Sequence, residues 1–155
     1  MMTLGVLVGT LVLGLIGLSL FLSLSPRPRS PTVKEQSFVD VLTGRRRAFT
    51  TLTNAPECTL TVVVPAYNET QRLGHMLDEC IAHLEKRNAS DPKFTFEILV
   101  VDDGSADETT QCARDYGKSW LKNKTKEEKS ARSFKVMTFE KNRGKGGAVT
   151  RVRFE

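Results

Sequence analysis

Three regimes of hydrophobic patterning divide the chain. The first is unbroken: Leu4 to Leu24 carries no charged side chain and is rich in Leu, Val and Gly. At about 1.5 Å rise per residue, a helix of that length covers about 30 Å, the thickness of a bilayer's hydrocarbon core. A cleaved signal peptide fits less well, because its apolar region runs only about 7–15 residues behind a basic start. Here no Lys or Arg precedes the run, and Pro26 follows the small residues Ser23 and Ser25. Residues 1–25 are therefore expected to form an uncleaved transmembrane signal anchor. The second regime, 26–56, shows no periodicity and reads as a basic juxtamembrane linker. The third, 57–155, alternates between strand and helix signals. Thr59 to Val64 is a short β-branched run closed by Pro65, as in a buried strand. Leu73, Met76, Leu77, Cys80, Ile81 and Leu84 then trace one face of a helix from about Glu69 to Arg87. Phe94 to Val101 predicts a second strand and Ala106 to about Leu121 a second helix, with Ser105 or Asp107 as its cap. Lys122 to Arg132 reads as an exposed loop, Phe134 to Phe139 as a third strand, and Asn142 to Ala148 as the opening of a further helix.

Strand, helix, strand, helix, strand is the order of an α/β unit with parallel strands. In such sheets ligands bind beyond the carboxyl ends of the strands. Three clusters sit directly there: Pro65-Ala-Tyr-Asn-Glu69, Asp102-Asp-Gly-Ser105 and the glycine-rich Asn142 to Ala148. Together they are the candidate site. Adjacent strand residues point to opposite faces, so Asp102 and Asp103 suit two different roles, one bracing the loop and one facing ligand. Gly104 permits the turn. Free backbone N–H groups near a helix start favour anions, and Arg143 and Lys145 add charge suited to a diphosphate. The loop is neither GxxxxGK[ST] nor GxGxxG. Tyr67 offers an aromatic face and Glu69 a carboxylate for ribose. His75 and His83 fall on or beside the polar side of their helix and read as surface residues.

Composition changes this picture less than charge does. The 155 residues are 39% apolar and 26% charged, with a formal net charge of +5. That average hides a partition: 26–56 nets +4, 57–113 nets −7 and 114–154 nets +9. A uniformly basic nucleic-acid binder is excluded, as is a disordered polyelectrolyte. Arg27, Arg29 and Lys34 follow the apolar run, with Arg45, Arg46 and Arg47 further on, so the positive-inside bias places the remainder of the chain on the cytosolic side. The three arginines are also suited to anionic headgroups. Cys58, Cys80 and Cys112 are odd in number and widely spaced, suggesting neither a disulfide framework nor a zinc site. The sequons at Asn68, Asn88 and Asn123 would matter only in a lumen.

V-V-P-A-Y-N-E, V-V-D-D-G-S and N-R-G-K-G-G-A, in that order, resemble the amino-terminal half of the family 2 glycosyltransferases with the GT-A fold. Within that family the chain is most similar to members of the endoplasmic reticulum membrane that transfer glucose from UDP-glucose to dolichyl phosphate. The resemblance covers about residues 1–149. It implies an anchor followed by the nucleotide-binding, Rossmann-like βαβαβ half of a GT-A domain, the amino terminus lumenal and the rest cytosolic. It also implies a nucleotide-sugar site in which Pro65, Tyr67 and Glu69 line the nucleoside pocket. Asp103 would recognise uracil and Asp102 support the loop or ribose. Gly144, Lys145 and Gly146 would lie near the base and phosphates. UDP-glucose, dolichyl phosphate and the bilayer would be its partners, with no nucleic acid.

The family's D-x-D motif, which holds a divalent Mg or Mn and the diphosphate, follows the glycine-rich helix; this sequence contains no D-x-D. After Val149 it reads Thr150-Arg-Val-Arg-Phe-Glu155 and departs from the family pattern. No catalytic residue and no metal ligand is therefore expected within it, and the 155-residue chain by itself is expected to be inactive, with a sheet edge lacking its partner strands. Two alternatives remain open at this level: a non-catalytic, membrane-anchored nucleotide-sugar binder, and another family 2 enzyme such as a dolichyl-phosphate mannosyltransferase using GDP-mannose.

Overall fold

The structure is a computed structural model that describes residues 2–24, 32, 34–49 and 55–152; within its helices the side chains of residues 2–7, 10, 22, 145 and 150–152 lie outside that description. The chain divides into two units, Met1–Ser30 and Pro31–Glu155. The first is a single helix, α1 (Met2–Leu24), with no acidic residue in its first turn and no basic residue in its last. Among the described residues no helix is long and apolar enough to cross a membrane, the side chains of α1 being described without a gap only over 11–21. The anchor expected over residues 1–25 is thus unsupported by the structure itself.

The second unit is built on a five-stranded sheet in the order β2-β1-β5-β4-β3. Its centre is the expected parallel set, β3 (Leu60–Ala66), β4 (Phe96–Asp102) and β5 (Arg132–Thr138), in register Ala66↔Asp102↔Thr138 at the carboxyl ends. The crossovers are α2 (Leu73–Ser90) and α3 (Thr109–Lys122). Strand β4 is apolar throughout because both its faces are covered. Phe96, Ile98 and Val100 join Leu73, Leu77, Ile81 and Leu84 of α2 and Ala113 and Leu121 of α3 in one core. Leu99 and Val101 join Phe38, Met137, Phe139 and Ala148 in another, capped by α5 (Gly144–Val152). His75 and His83 are exposed, as their positions on α2 suggested.

Four differences from expectation have local causes. Strand β3 runs through Pro65 rather than stopping at it; β3 pairs only with β4 among the described residues, and an edge strand tolerates a residue without an N–H. Residues 26–56 are not simply a linker. A 3-10 turn (Lys34–Gln36) leads into β1 (Ser37–Asp40) and β2 (Arg46–Ala48), and β1 pairs antiparallel with β5. Phe38 and Val41 go to opposite cores, an alternation too short to register as a period. The 122–132 stretch is not an open loop: α4 (Lys126–Ser130) starts with a capping box between Thr125 and Glu128. Finally, α2 and α3 begin three to four residues later than expected, and neither Ser105 nor Asp107 is the cap of α3, whose N-cap is Glu108.

Candidate functional site

The three strand-end clusters meet, and main-chain groups do most of the joining. The Asp103 N–H donates to the Ala66 carbonyl at 2.9 Å, and the Phe139 N–H to the Asp102 carbonyl at 2.8 Å, tying β3, β4 and β5 together where they end. Asn68 takes φ 54°, a left-handed conformation that Asn tolerates better than most residues. This turns its N–H onto Ser105 Oγ, and its Oδ1 accepts the Ala106 N–H, both at 2.9 Å. Ser105 therefore joins the first two loops instead of capping a helix. Gly104, at φ 72°, lies so close to the third loop that an added Cβ would stand 3.0 Å from the main chain of Lys141 and Asn142.

Asp102 and Asp103 are 1% and 3% exposed and divide the work. Asp102 Oδ1 accepts the Ser105 N–H at 2.9 Å, and Oδ2 accepts the Thr110 hydroxyl. Both its oxygens are committed to bracing the turn. Asp103 Oδ1 accepts the Arg143 N–H at 2.7 Å; its Oδ2 takes no donor among the described residues. Asn142 Oδ1 accepts the Gly144 N–H at 2.8 Å, and Gly144, at φ 76°, begins α5. Gly146 is exposed on the first turn of that helix; the side chain of Lys145 lies outside the described residues.

The remaining candidates are more peripheral. Pro65 is half-buried within β3, and Tyr67 is 46% exposed just beyond it. Glu69 sends its carboxylate to Arg72 in two bonds of 2.7 and 2.8 Å, so a ligand hydroxyl would have to displace Arg72. Such an exposed pair is weak enough to allow that. Glu69 also lines an open depression of about 470 Å³ with Asn68, Thr70, Gln71, Arg72, Asp107 and Glu108. Among the described residues none of the glycine-rich loop lines this depression, and its three carboxylates make it a poor seat for phosphate. Hydrogen bonds from the hydroxyls of Thr109 and Thr70 hold the Asp107 carboxyl down to about 2.

One correction concerns charge. Arg143, expected at a diphosphate, turns its guanidinium to Glu35 at 2.6 Å. Glu35 itself gave no signal in the sequence, because its partner lies 108 residues away. Among the described residues no three His, Cys, Asp or Glu side chains cluster as metal ligands. With Asp102 fully bonded and Asp103 half bonded, the rim does not fit a divalent cation, and no step is assigned to one.

Comparison with known proteins agrees with this geometry. The family model described as glycosyl transferase family 2 matches residues 61–152, which take in all three loops. The chain is 39% identical over 147 residues to the dolichyl-phosphate beta-glucosyltransferase of Drosophila melanogaster, covering 92% of this chain and 42% of that protein. It is 37% identical over 146 residues to the enzyme of that name from Homo sapiens, and 35% over 149 residues to that from Saccharomyces cerevisiae. The chain thus spans about two fifths of the length of these relatives. With a matched region that includes the parallel strands and the rim they end in, the chain belongs to glycosyl transferase family 2.

Proposed function

We propose that the chain is the nucleotide-sugar-binding part of a glucosyltransferase that moves glucose from UDP-glucose to dolichyl phosphate with inversion at the anomeric carbon. The observation that carries this reading is the rim in which Asp103, buried at the end of β4, is bonded to the main chain of the glycine-rich loop at Arg143. Such a carboxylate, with one oxygen fixed and one without a donor among the described residues, suits the N–H of a pyrimidine ring. Tyr67 and Pro65 supply apolar surface beside it, and Glu69 a carboxylate for ribose. The start of α5, from Gly144 through Lys145 and Gly146, ends the third loop at the same rim, where the positive end of a helix favours a diphosphate. Asp102 acts only through the turn it braces. The names of the relatives support glucose and dolichyl phosphate as the transferred group and acceptor.

A polyprenyl phosphate has to be met at a membrane surface, and α1 suits that need. It is uncharged, and Leu13 and Phe21 are about 70% exposed, an arrangement stable in lipid and costly in water. In this reading α1 spans the endoplasmic reticulum membrane once, amino terminus lumenal, with the rest of the chain cytosolic by the bias of Arg27, Arg29 and Lys34. Calorimetric titration of the detergent-solubilised chain with UDP and with GDP tests the nucleotide. Binding of UDP in clear preference to GDP is expected. Equal binding of the two, or of neither, would reject the assignment and with it the choice over a GDP-mannose-dependent enzyme.

A further inference from the structure

The segment between α1 and the sheet reaches into the candidate site. Glu35, on the 3-10 turn, is 3% exposed and meets Arg143 in a two-point pair, Nε to Oε1 at 3.0 Å and Nη2 to Oε2 at 2.6 Å. Glu35 Oε2 also accepts the Thr32 N–H at 3.0 Å, so its position is set from its own side. The Arg143 guanidinium lies 5.9 Å from the centre of the Phe139 ring, and Lys34 adds a second, outer pair with Glu140 at 3.2 Å. Arg143 is therefore held at both ends: its side chain by Glu35, its main-chain N–H by Asp103. A planar guanidinium gripped by a carboxylate in this way has little freedom, and moving it would leave a buried charge uncompensated.

We propose that Glu35 is a positioning residue for the nucleotide site. By fixing Arg143 it sets the course of residues 139–144, and with it the place of the Asp103 carboxylate edge and the first turn of α5. Arg143 is an internal strut and not a ligand of the diphosphate. The inference rests on the nucleotide-sugar reading above, but the strut is measurable without a nucleotide.

The test uses the full chain in detergent micelles, with Glu35→Gln, Arg143→Gln, the double variant and Glu35→Asp. Amide hydrogen exchange is expected to rise in Glu35→Gln across residues 139–148 while β4 and α2 keep their protection. In UDP titrations each single variant is expected to bind at least about tenfold more weakly, the scale of one charge-assisted hydrogen bond. The double variant is expected to be no weaker than either single one, because the two side chains act as one unit. Additive losses overturn the proposal, as does unchanged exchange over 139–148. Weakened UDP binding in Arg143→Gln with undiminished binding in Glu35→Gln also overturns it, by making Arg143 a direct ligand. If Glu35→Gln unfolds, Glu35→Asp keeps the charge with a shorter reach; a uniform loss of protection, with no excess at 139–148, counts against positioning. Failure of the unaltered chain to bind UDP rejects the nucleotide reading instead. The local exchange increase would then still establish the strut, and its absence would reject both.

Discussion

Two neighbouring carboxylates at the end of β4 share one sequence context and yet do different things. Asp102 is closed off by the Ser105 N–H and the Thr110 hydroxyl, whereas Asp103 keeps one oxygen without a donor among the described residues. Their substitution by Asn should separate stability from binding. Asp102→Asn puts an amide N–H₂ against a donor in a buried turn, costing about 1–3 kcal/mol in urea unfolding. Asp103→Asn should weaken UDP by a larger factor than Asp102→Asn does, read by titration. A larger binding loss in Asp102→Asn would reverse the roles. That two roles existed was legible from the pleat alone, since adjacent strand residues face opposite ways. The part of Asn68 was not legible: its left-handed conformation serves contacts with residues 105 and 106, which no local pattern announces.

At the scale of elements, the parallel strands and the helix faces were readable because each carries its signal within a few residues. The β1–β2 hairpin was not, because its partner β5 lies far along the chain and its strands are only four and three residues long. The capping box of α4 stood in the sequence as Thr125-x-x-Glu128 but was hidden in a Lys-rich run. Close packing of α3 on β5 depends on Gly117, where an added Cβ would stand 2.6 Å from the buried Phe134 ring. Gly117→Ala should therefore destabilise by about 1–3 kcal/mol from overpacking, despite a helix-propensity gain of about 1 kcal/mol. Chemical denaturation measures the balance, and a stabilised variant would refute the packing argument.

The link between α2 and β5 is sensitive to acid. Glu85 of α2 bonds Arg132 of β5 at 2.5 Å and Lys124 at 3.0 Å. Burial pushes its carboxyl up, but hydrogen bonds and charge from Arg132 and Lys124 outweigh burial and hold it below the ordinary 4.5. Because the folded value lies below the unfolded one, the link contributes fully above about pH 4.5 and is lost as pH falls through the folded value. Glu85→Gln should cost about 2–3 kcal/mol at pH 7, since it leaves Arg132 without its main partner. It should also flatten the fall in stability below pH 4.5. Equal acid sensitivity in both proteins, followed by circular dichroism, would assign the effect elsewhere.

For the whole molecule, the three sequons serve as unequal reporters of sidedness. Asn88 Nδ2 donates to the Phe94 carbonyl at 2.6 Å and its Oδ1 accepts from Arg132 at 2.9 Å, so its amide is engaged. Asn68 is bonded at the rim through Oδ1, which leaves its amide nitrogen, the atom a glycan takes, outside that bond. Asn123, at the end of α3, is exposed as Asn68 is, and these two are the sequons open to modification among the described residues. If the domain is cytosolic, as proposed, synthesis in the presence of microsomes should give no mass shift on glycosidase treatment. A shift abolished by Asn68→Gln and Asn123→Gln together would place the domain in the lumen.

The strut between Glu35 and Arg143 also has a meaning in time. The two residues are 108 positions apart. At roughly 5–20 residues per second, a ribosome that has made the carboxylate needs about 5–20 seconds more to make its partner. During that interval Glu35 has no Arg143 to meet, and Phe38 lacks most of the core it will join. The hairpin therefore cannot close on β5 until that strand has been made, and the loop at Arg143 is steadied by a carboxylate synthesised long before it.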